Sequence, residues 1–184
     1  MRSLIPYNWH QVFRNRQHRS RPFGIAIVLL VLLIILSKLA GHRAVVINTS
    51  PSVTPGLYVR ASTEPAVGQI VDFRIPPAAR NYVSARTGHT GEDWYILKPI
   101  VAGPGDRIDT MGDCLVINGK RIAPMPPISD HDGRSLPRWR ADRLLGPDEF
   151  FVFSARIPNS FDSRCYGPIT RREIASVRRL LLTW

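Results

Sequence analysis

The sequence lacks the short motifs that mark several common enzyme classes. It contains no Gly-x-Ser-x-Gly, no His-Glu-x-x-His, no phosphate-binding glycine loop and no Cys-x-x-Cys. These absences disfavour hydrolases with a nucleophile elbow, zinc peptidases, nucleotide-dependent enzymes and dithiol redox proteins. Only His89 and His131 lie well inside residues 41–184, each in a polar stretch. We therefore expect surface histidines, no Ser-His-Asp triad, no metal site and no cofactor.

Lysine is also scarce. Of the 25 basic residues, 22 are arginine and three are lysine, namely Lys38, Lys98 and Lys120. Lysine, unlike arginine, can become a neutral base when it is buried. Lys98 lies in the apolar stretch WYILKPIV, which would desolvate the amine and lower its pKa. The residues alone do not decide between two roles for Lys98: a catalytic base, or a lysine paired with a buried carboxylate.

Acidic residues are absent from residues 1–22, which carry five arginines. The following stretch, residues 23–40, is apolar except for Lys38, and as a helix it would span ~27 Å of a hydrocarbon core about 30 Å thick. The basic flank predicts a cytoplasmic tail at 1–22, a single transmembrane helix at 23–40 and a domain outside at 41–184. A cleaved signal peptide fits less well, because the apolar run exceeds ~7–15 residues and no small-x-small site follows cleanly. Basic residues are dispersed along the domain, so we expect no nucleic-acid partner.

Residues 41–184 have the pattern of a mainly β domain. Short apolar or alternating runs bounded by Gly, Pro and Asn predict strands, and Asn118-Gly119 predicts a type I′ hairpin turn. The tail up to Trp184 predicts a final strand. Residues 76–93 and 124–147 have no periodicity, and five prolines in the second predict an irregular excursion. The other predicted strands are Ala44–Asn48, Gly56–Arg60, Gln69–Phe73, Tyr95–Leu97, Cys114–Ile117, Arg121–Ala123 and Phe150–Phe153.

Three segments together resemble the type I signal peptidases. NTSPSVTPGLY, residues 48–58, is similar to the Ser-x-Ser-x-x-Pro that follows the membrane anchor in that family. LKPIVAGPGD, residues 97–106, is similar to the family's lysine with Pro-Gly-Asp at fixed spacing. NSFDSRCYGP, residues 159–168, is similar to its Asn-Ser-x-Asp-Ser-Arg followed by Gly. The shared order and spacing, behind an apolar run, argue against coincidence.

The resemblance is stronger to one branch, the conjugative-transfer peptidases of the TraF type, which process pilin-like precursors. NTSPS followed by Pro-Gly-Leu-Tyr is similar to that branch. Housekeeping signal peptidases usually carry bulky apolar residues where this chain has Val53-Thr54, and Gly-Asp-Asn where it has residues 154–158. The first difference indicates a specialised substrate, and the second leaves the geometry of that loop open.

The resemblance implies the roles of several side chains. Ser52 would be the nucleophile and Lys98 its general base, with Ser160 orienting the lysine. The hydroxyl of Ser50 and the backbone N–H of Ser52 would hold the oxyanion.

Two further pairs have two interpretations each. Asp162 and Arg164 would share a face if their stretch is extended, so that an ion pair braces the site, whereas the alternative is an ordinary surface pair. Cys114 and Cys165 would face an oxidising compartment and either form a disulfide or stay as two buried thiols.

The resemblance thus implies a signal-peptidase-like β domain on one transmembrane helix in the bacterial inner membrane, with the peptidase domain in the periplasm. The expected function is a membrane-bound Ser/Lys endopeptidase that matures a conjugative pilin precursor. Its expected partners are that membrane-embedded precursor and the lipid bilayer. The alternatives are a housekeeping type I signal peptidase and a non-enzymatic, single-pass assembly factor of a conjugation or secretion channel.

Overall fold

A computed structural model of the chain describes residues 24–29, 31–32, 44–88, 94–129 and 133–184. The chain divides into two units, Met1–Ala44 and Val45–Trp184. In the first unit, residues 24–29 and 31–32 are helical. The predicted tail at 1–22, most of the predicted transmembrane helix at 23–40, and both His89 and His131 lie outside the described residues. Across the described ranges, the helices are too short or too polar to cross a membrane.

The second unit is mainly β, as predicted. Its strands form two antiparallel sheets, and two helices interrupt them. The elements are β1 (Val45–Asn48), β2 (Gly56–Ala61), β3 (Ile70–Arg74), α1 (Pro77–Thr87), β4 (Tyr95–Ala102), β5 (Arg107–Asp109), β6 (Cys114–Ile117), β7 (Lys120–Pro124), β8 (Asp142–Leu144), β9 (Glu149–Val152), α2 (Ser163–Tyr166), β10 (Ile169–Thr170) and β11 (Ile174–Thr183).

The larger sheet has seven strands in the order β1-β2-β11-β3-β4-β9-β10, and the smaller has four in the order β7-β6-β5-β8. The three segments of the family resemblance all lie on the larger sheet. The first is the turn between β1 and β2, the second runs along β4, and the third follows β9 and includes α2. The sheet order therefore brings the second and third segments together, because β4 pairs with β9.

Strand β4 carries its lysine on a buried face. Lys98, Ile100 and Ala102 are all buried and alternate with less buried neighbours, which is the period of two expected of a strand with one covered face. Ile100 belongs to a cluster of buried side chains that includes Val71, Phe73 and Val152. Lys98 thus occupies a position in the row where an apolar side chain would ordinarily lie.

The hairpin predicted at Asn118-Gly119 is confirmed. The two residues connect β6 to β7 with φ angles of 51° and 79°, as a type I′ turn requires. Among the described residues Asn118 is the sole non-glycine with a positive φ.

Helix α1 was not predicted, because residues 76–93 show little periodicity. It begins with Pro77 at its first position, where a missing N–H costs nothing. It ends at Thr87, and the next residue, Gly88, caps it with a left-handed φ of 70°. Ala79 and Val83, one turn apart, are buried in the core cluster, and Tyr82 packs against it partly buried, so the sequence carries a weak helical signal. Within 124–147, the excursion is not wholly irregular, since β8 pairs there with β5.

Candidate active site

The turn that carries Ser52 is organised by Asn48, the last residue of β1. The Asn48 side-chain amide donates to the carbonyls of Ser50 at 2.9 Å and of Val53 and Thr54 at 3.2 Å. Its oxygen accepts the Ser50 N–H at 3.2 Å. Asn48 is buried, so this one side chain fixes the turn on both sides of Ser52. This role of Asn48 was not predicted from the sequence.

The two serines predicted to act together are in contact. The hydroxyl oxygens of Ser50 and Ser52 lie 3.0 Å apart. The Ser52 N–H also donates to the Ser50 hydroxyl, at 3.4 Å. The two groups that the resemblance assigns to the oxyanion, the Ser52 N–H and the Ser50 hydroxyl, are therefore neighbours, and in this structure the N–H is directed at the hydroxyl oxygen.

Lys98 forms its hydrogen bond with Ser160. The Lys98 ammonium donates to the Ser160 hydroxyl at 2.7 Å, and the two residues are only 4% and 1% exposed. Burial lowers the pKa of Lys98 from an ordinary 10.5 to about 8, against the opposing effect of the Asp162 carboxylate. An amine with this pKa is partly neutral near neutral pH and can then accept a proton.

Asp162 pairs with Arg164 and not with Lys98. The Arg164 Nε and a terminal nitrogen donate to the two Asp162 carboxylate oxygens at 2.9 and 3.0 Å. Both side chains are almost fully buried, so this is not an exposed surface pair. In the described chain no carboxylate lies within 4.0 Å of the Lys98 amine. Among the residues that the structure describes, the lysine is therefore not ion-paired with a buried carboxylate, which was the other sequence interpretation.

The ion pair forms, but not through the extended stretch that the sequence suggested. Asp162 is the N-cap of α2, and its side chain accepts the backbone N–H of Arg164 at 3.2 Å. Arg164 lies in the first turn of that helix. Its guanidinium also donates to the Pro124 carbonyl at 2.7 Å and stacks over the Phe153 ring at 4.6 Å. Arg164 thus connects the site to the end of β7.

The serine turn is attached to the loop after β9, close to the lysine strand. The Ser154 hydroxyl donates to the Ser52 carbonyl, and the Arg156 Nε donates to the Pro51 carbonyl at 3.1 Å. The preceding residue, Phe153, donates its N–H to the carbonyl of Pro99 at 3.1 Å. Within the described chain no hydrogen bond joins the Ser52 hydroxyl directly to the Lys98 amine.

Cys114 and Cys165 are free thiols, so the structure contains no disulfide between them. The physical reason is their location. Cys165 is buried in α2 within the core cluster of the larger sheet, whereas Cys114 begins β6 in the smaller sheet. Among the described residues, no group of three or more His, Cys, Asp or Glu could hold a metal ion.

Comparison with known proteins identifies relatives along most of the chain. A family model described as "Signal peptidase, peptidase S26" matches residues 20–184. The chain is 32% identical to a plasmid transfer protein TraF of Escherichia coli over 79% of its own length and 84% of that protein. It is 26% identical to a conjugal transfer protein TraF of Agrobacterium fabrum, over 89% of this chain and 95% of that one.

A crystal structure of a signal peptidase I from Enterococcus faecalis is also similar, with 18% identity and a TM-score of 0.38, covering 64% of this chain and 98% of the other. The resemblance seen in the sequence is confirmed by the family match. The chain belongs to the signal peptidase family, peptidase S26.

Proposed function

We propose that this protein is a membrane-anchored endopeptidase in which Ser52 is the nucleophile and Lys98 the general base. The observation that carries the proposal is the environment of Lys98. It is buried, its pKa is lowered to about 8, and its hydrogen bond goes to the neutral hydroxyl of Ser160. A lysine held by a carboxylate would stay protonated, whereas this one can take a proton from a nearby hydroxyl.

The proposed reaction uses each group at a stated atom. Neutral Lys98 removes the proton of the Ser52 hydroxyl while the Ser52 oxygen attacks the carbonyl carbon of the scissile peptide bond. The oxyanion accepts hydrogen bonds from the Ser52 N–H and the Ser50 hydroxyl. Lys98 then gives its proton to the leaving nitrogen, and the C–N bond breaks. Water, deprotonated by Lys98, then attacks the acyl carbon, and the C–O bond to Ser52 breaks as Lys98 returns the proton to the Ser52 oxygen.

An extended substrate would bind at an open part of β4. On the side of β9, pairing with β4 begins at Ile100, so within the described residues the backbone of 96–98 has no strand partner there. A peptide could add a strand at this edge beside Lys98. Alternate side chains would then face the enzyme, which favours small residues at the first and third positions before the cut.

Two features support the proposal that the protein acts at a membrane surface. The arginine-rich residues 1–22 and the apolar residues 23–40 predict an anchor with its N-terminus in the cytoplasm. In the second unit, Ile47 and Leu182 flank Leu57 in register on neighbouring strands, and Ile47, Leu182 and Trp184 are 67%, 60% and 64% exposed. A row of exposed apolar side chains of this kind suits contact with lipid.

A reporter fused after Trp184 should be active in the periplasm, and activity only in the cytoplasm would contradict the proposed orientation.

The proposed substrate is a pilin-like precursor of a conjugation system. The relatives in Escherichia coli and Agrobacterium fabrum bear plasmid-transfer and conjugal-transfer names. Deleting the protein should leave growth and general secretion intact and abolish pilus formation and plasmid transfer. Lethality, or accumulation of unprocessed secretory proteins with normal pilin, would instead indicate a housekeeping signal peptidase.

The decisive experiment is mass spectrometry of a pilin precursor co-expressed with variants of the full chain. Ser52→Ala and Lys98→Met should each abolish cleavage at an unchanged membrane level, and Lys98→Arg should fail too, because arginine keeps its proton. The matched controls are Ser62→Ala and Lys120→Met, which alter exposed residues and should process normally. Full processing by Ser52→Ala or Lys98→Met would favour the assembly factor that has no enzymatic activity.

A further inference from the structure

Residues 154–156 make two contacts with the backbone on either side of Ser52. The buried Ser154 donates its hydroxyl to the carbonyl of Ser52. Arg156 donates its Nε to the carbonyl of the preceding residue, Pro51, at 3.1 Å. The two contacts fall on consecutive peptide groups, so one short loop holds both peptide planes that flank the serine.

Holding these carbonyls also fixes the direction of an N–H. A trans peptide group is planar, with its C=O and N–H pointing in opposite directions, and the described residues contain no cis peptide bond. The Pro51 carbonyl and the Ser52 N–H belong to the same plane. Because Arg156 holds that carbonyl on one side, the Ser52 N–H points to the other side, where the Ser50 hydroxyl lies.

The loop is itself anchored to the elements that hold Lys98. The Ser154 N–H faces an Asp162 carboxylate oxygen at 3.5 Å, and the Ser154 hydroxyl oxygen accepts the Arg156 N–H at 3.3 Å. One residue earlier, the Phe153 N–H donates to the carbonyl of Pro99, which directly follows Lys98. The loop therefore sets the position of the Ser52 turn relative to the lysine strand.

We propose that Ser154 and Arg156 are positioning residues that clamp the two peptide groups flanking Ser52, aiming its hydroxyl and its N–H for reaction. This inference rests on the proposed function of Ser52. It assigns a purpose to Ser154 and Arg156, which lie in the stretch where the sequence departs from the Gly-Asp-Asn of housekeeping enzymes. A glycine at position 154 would have no hydroxyl to offer the Ser52 carbonyl.

The test uses the full chain in detergent and an internally quenched peptide with alanine at the first and third positions before the cut. Ser154→Ala and Arg156→Ala should each lower kcat about 10- to 100-fold with KM changed less than about threefold, because misplacing a nucleophile or an oxyanion donor affects mainly the transition state. Ser154→Thr, which keeps the hydroxyl, should recover most of kcat. The control Ala155→Ser alters the residue between the two, whose methyl side chain makes no hydrogen bond to the Ser52 turn, and should behave as wild type; Arg156 is exposed as well, so the two positions differ in their contact and not in their exposure.

Three further readouts separate the explanations. The midpoint of the pH profile should stay where it is in the wild type, since neither substitution touches Lys98. Thermal melting should show that both variants are folded at the assay temperature. If Ser154→Ala does not fold, Arg156→Ala alone tests the clamp. Wild-type kcat in both variants, or a loss of activity that follows only the unfolded fraction, would overturn the clamp. If the wild type itself fails to cleave while Ser52→Ala is indistinguishable from it, the proposed function fails, and the clamp fails with it.

Discussion

Lys98 and Ser160 are joined by a 2.7 Å hydrogen bond, although 62 positions separate them in the chain. The bond forms because β4 and the segment after β9 lie side by side. Its acceptor is a neutral hydroxyl, while the nearby carboxylate of Asp162 is engaged by Arg164. Burial therefore dominates the pKa of the lysine.

The activity should rise with pH through about 8. Below this value Lys98 is protonated and cannot accept the Ser52 proton, and above it the neutral form predominates. The measurement is kcat/KM of the full chain against pH with the quenched peptide. A midpoint at or above ~10.4, the value of a free lysine, would mean that Lys98 is not a desolvated base.

Removing the hydroxyl partner should alter the same profile. In Ser160→Ala the protonated amine loses an acceptor, which disfavours the charged form, so the midpoint should move below that of the wild type. The rate at high pH should also fall, because the amine is no longer oriented. Ser160→Thr should restore both quantities. An unchanged midpoint with an unchanged rate would show that the Lys98–Ser160 bond has no influence on the lysine.

Lys98→Met should stabilise the protein at pH 7 while abolishing cleavage. The folded-state pKa of about 8 lies below the unfolded value, so the folded state bears the full cost of the buried charge below pH 8. Wild-type stability should rise between about pH 8 and ~10.4, as only the folded state loses its proton. We expect the free energy of unfolding of Lys98→Met to exceed that of the wild type by ~1–3 kcal/mol at pH 7. This difference should shrink between about pH 8 and ~10.4, and urea unfolding at several pH values measures it. Lys120→Met should leave the free energy of unfolding unchanged. An increase equal to that of Lys98→Met would contradict a cost specific to the buried Lys98 charge.

The buried and exposed ion pairs should differ sharply. Arg164→Met leaves the buried Asp162 carboxylate without its partner and should cost ~3–5 kcal/mol of unfolding free energy. Arg171 and Glu64 form an exposed pair at 2.9 Å, so Arg171→Met should have no measurable effect. Adding Asp162→Asn to Arg164→Met should recover part of the loss. Similar losses from Arg164→Met and Arg171→Met in chemical denaturation would argue against a bracing role.

Gly167 should not tolerate a side chain. Its φ of 84° and ψ of −172° lie in a region open essentially to glycine, and a Cβ there would lie 2.8 Å from the Trp139 ring. Gly167→Ala should cost ~2–4 kcal/mol from backbone strain and overpacking together. Gly105 has a similar φ of 83° with open space around it, so Gly105→Ala should cost only about 1–2 kcal/mol. Equal melting temperatures for Gly167→Ala and Gly105→Ala would show that the clash with the Trp139 ring contributes nothing to the loss of stability.

The sequence was informative where local pattern and chemistry coincide. The arginine bias singled out Lys98, and the alternation of β4 explains why that side chain is buried. The contacts of Ser154 were not predictable, because its bond to Ser52 spans 102 positions and a serine in a loop has no distinctive signal. Asn48 could have been noticed as a polar residue that ends an apolar strand. The ion pair of Asp162 with Arg164 was one of the two interpretations from the sequence, but the helical turn that forms it is too short to produce any periodicity.

The position of β11 in the larger sheet has a consequence for the timing of biosynthesis. The strand lies between β2, which follows the Ser52 turn, and β3, which pairs with the Lys98 strand. It is also C-terminal to every residue of the candidate site. A nascent chain still held by the ribosome before residue 183 emerges has both halves of the site but not the strand that joins them. The two halves of the candidate site are therefore joined within the sheet only once β11 has paired with both of its neighbours.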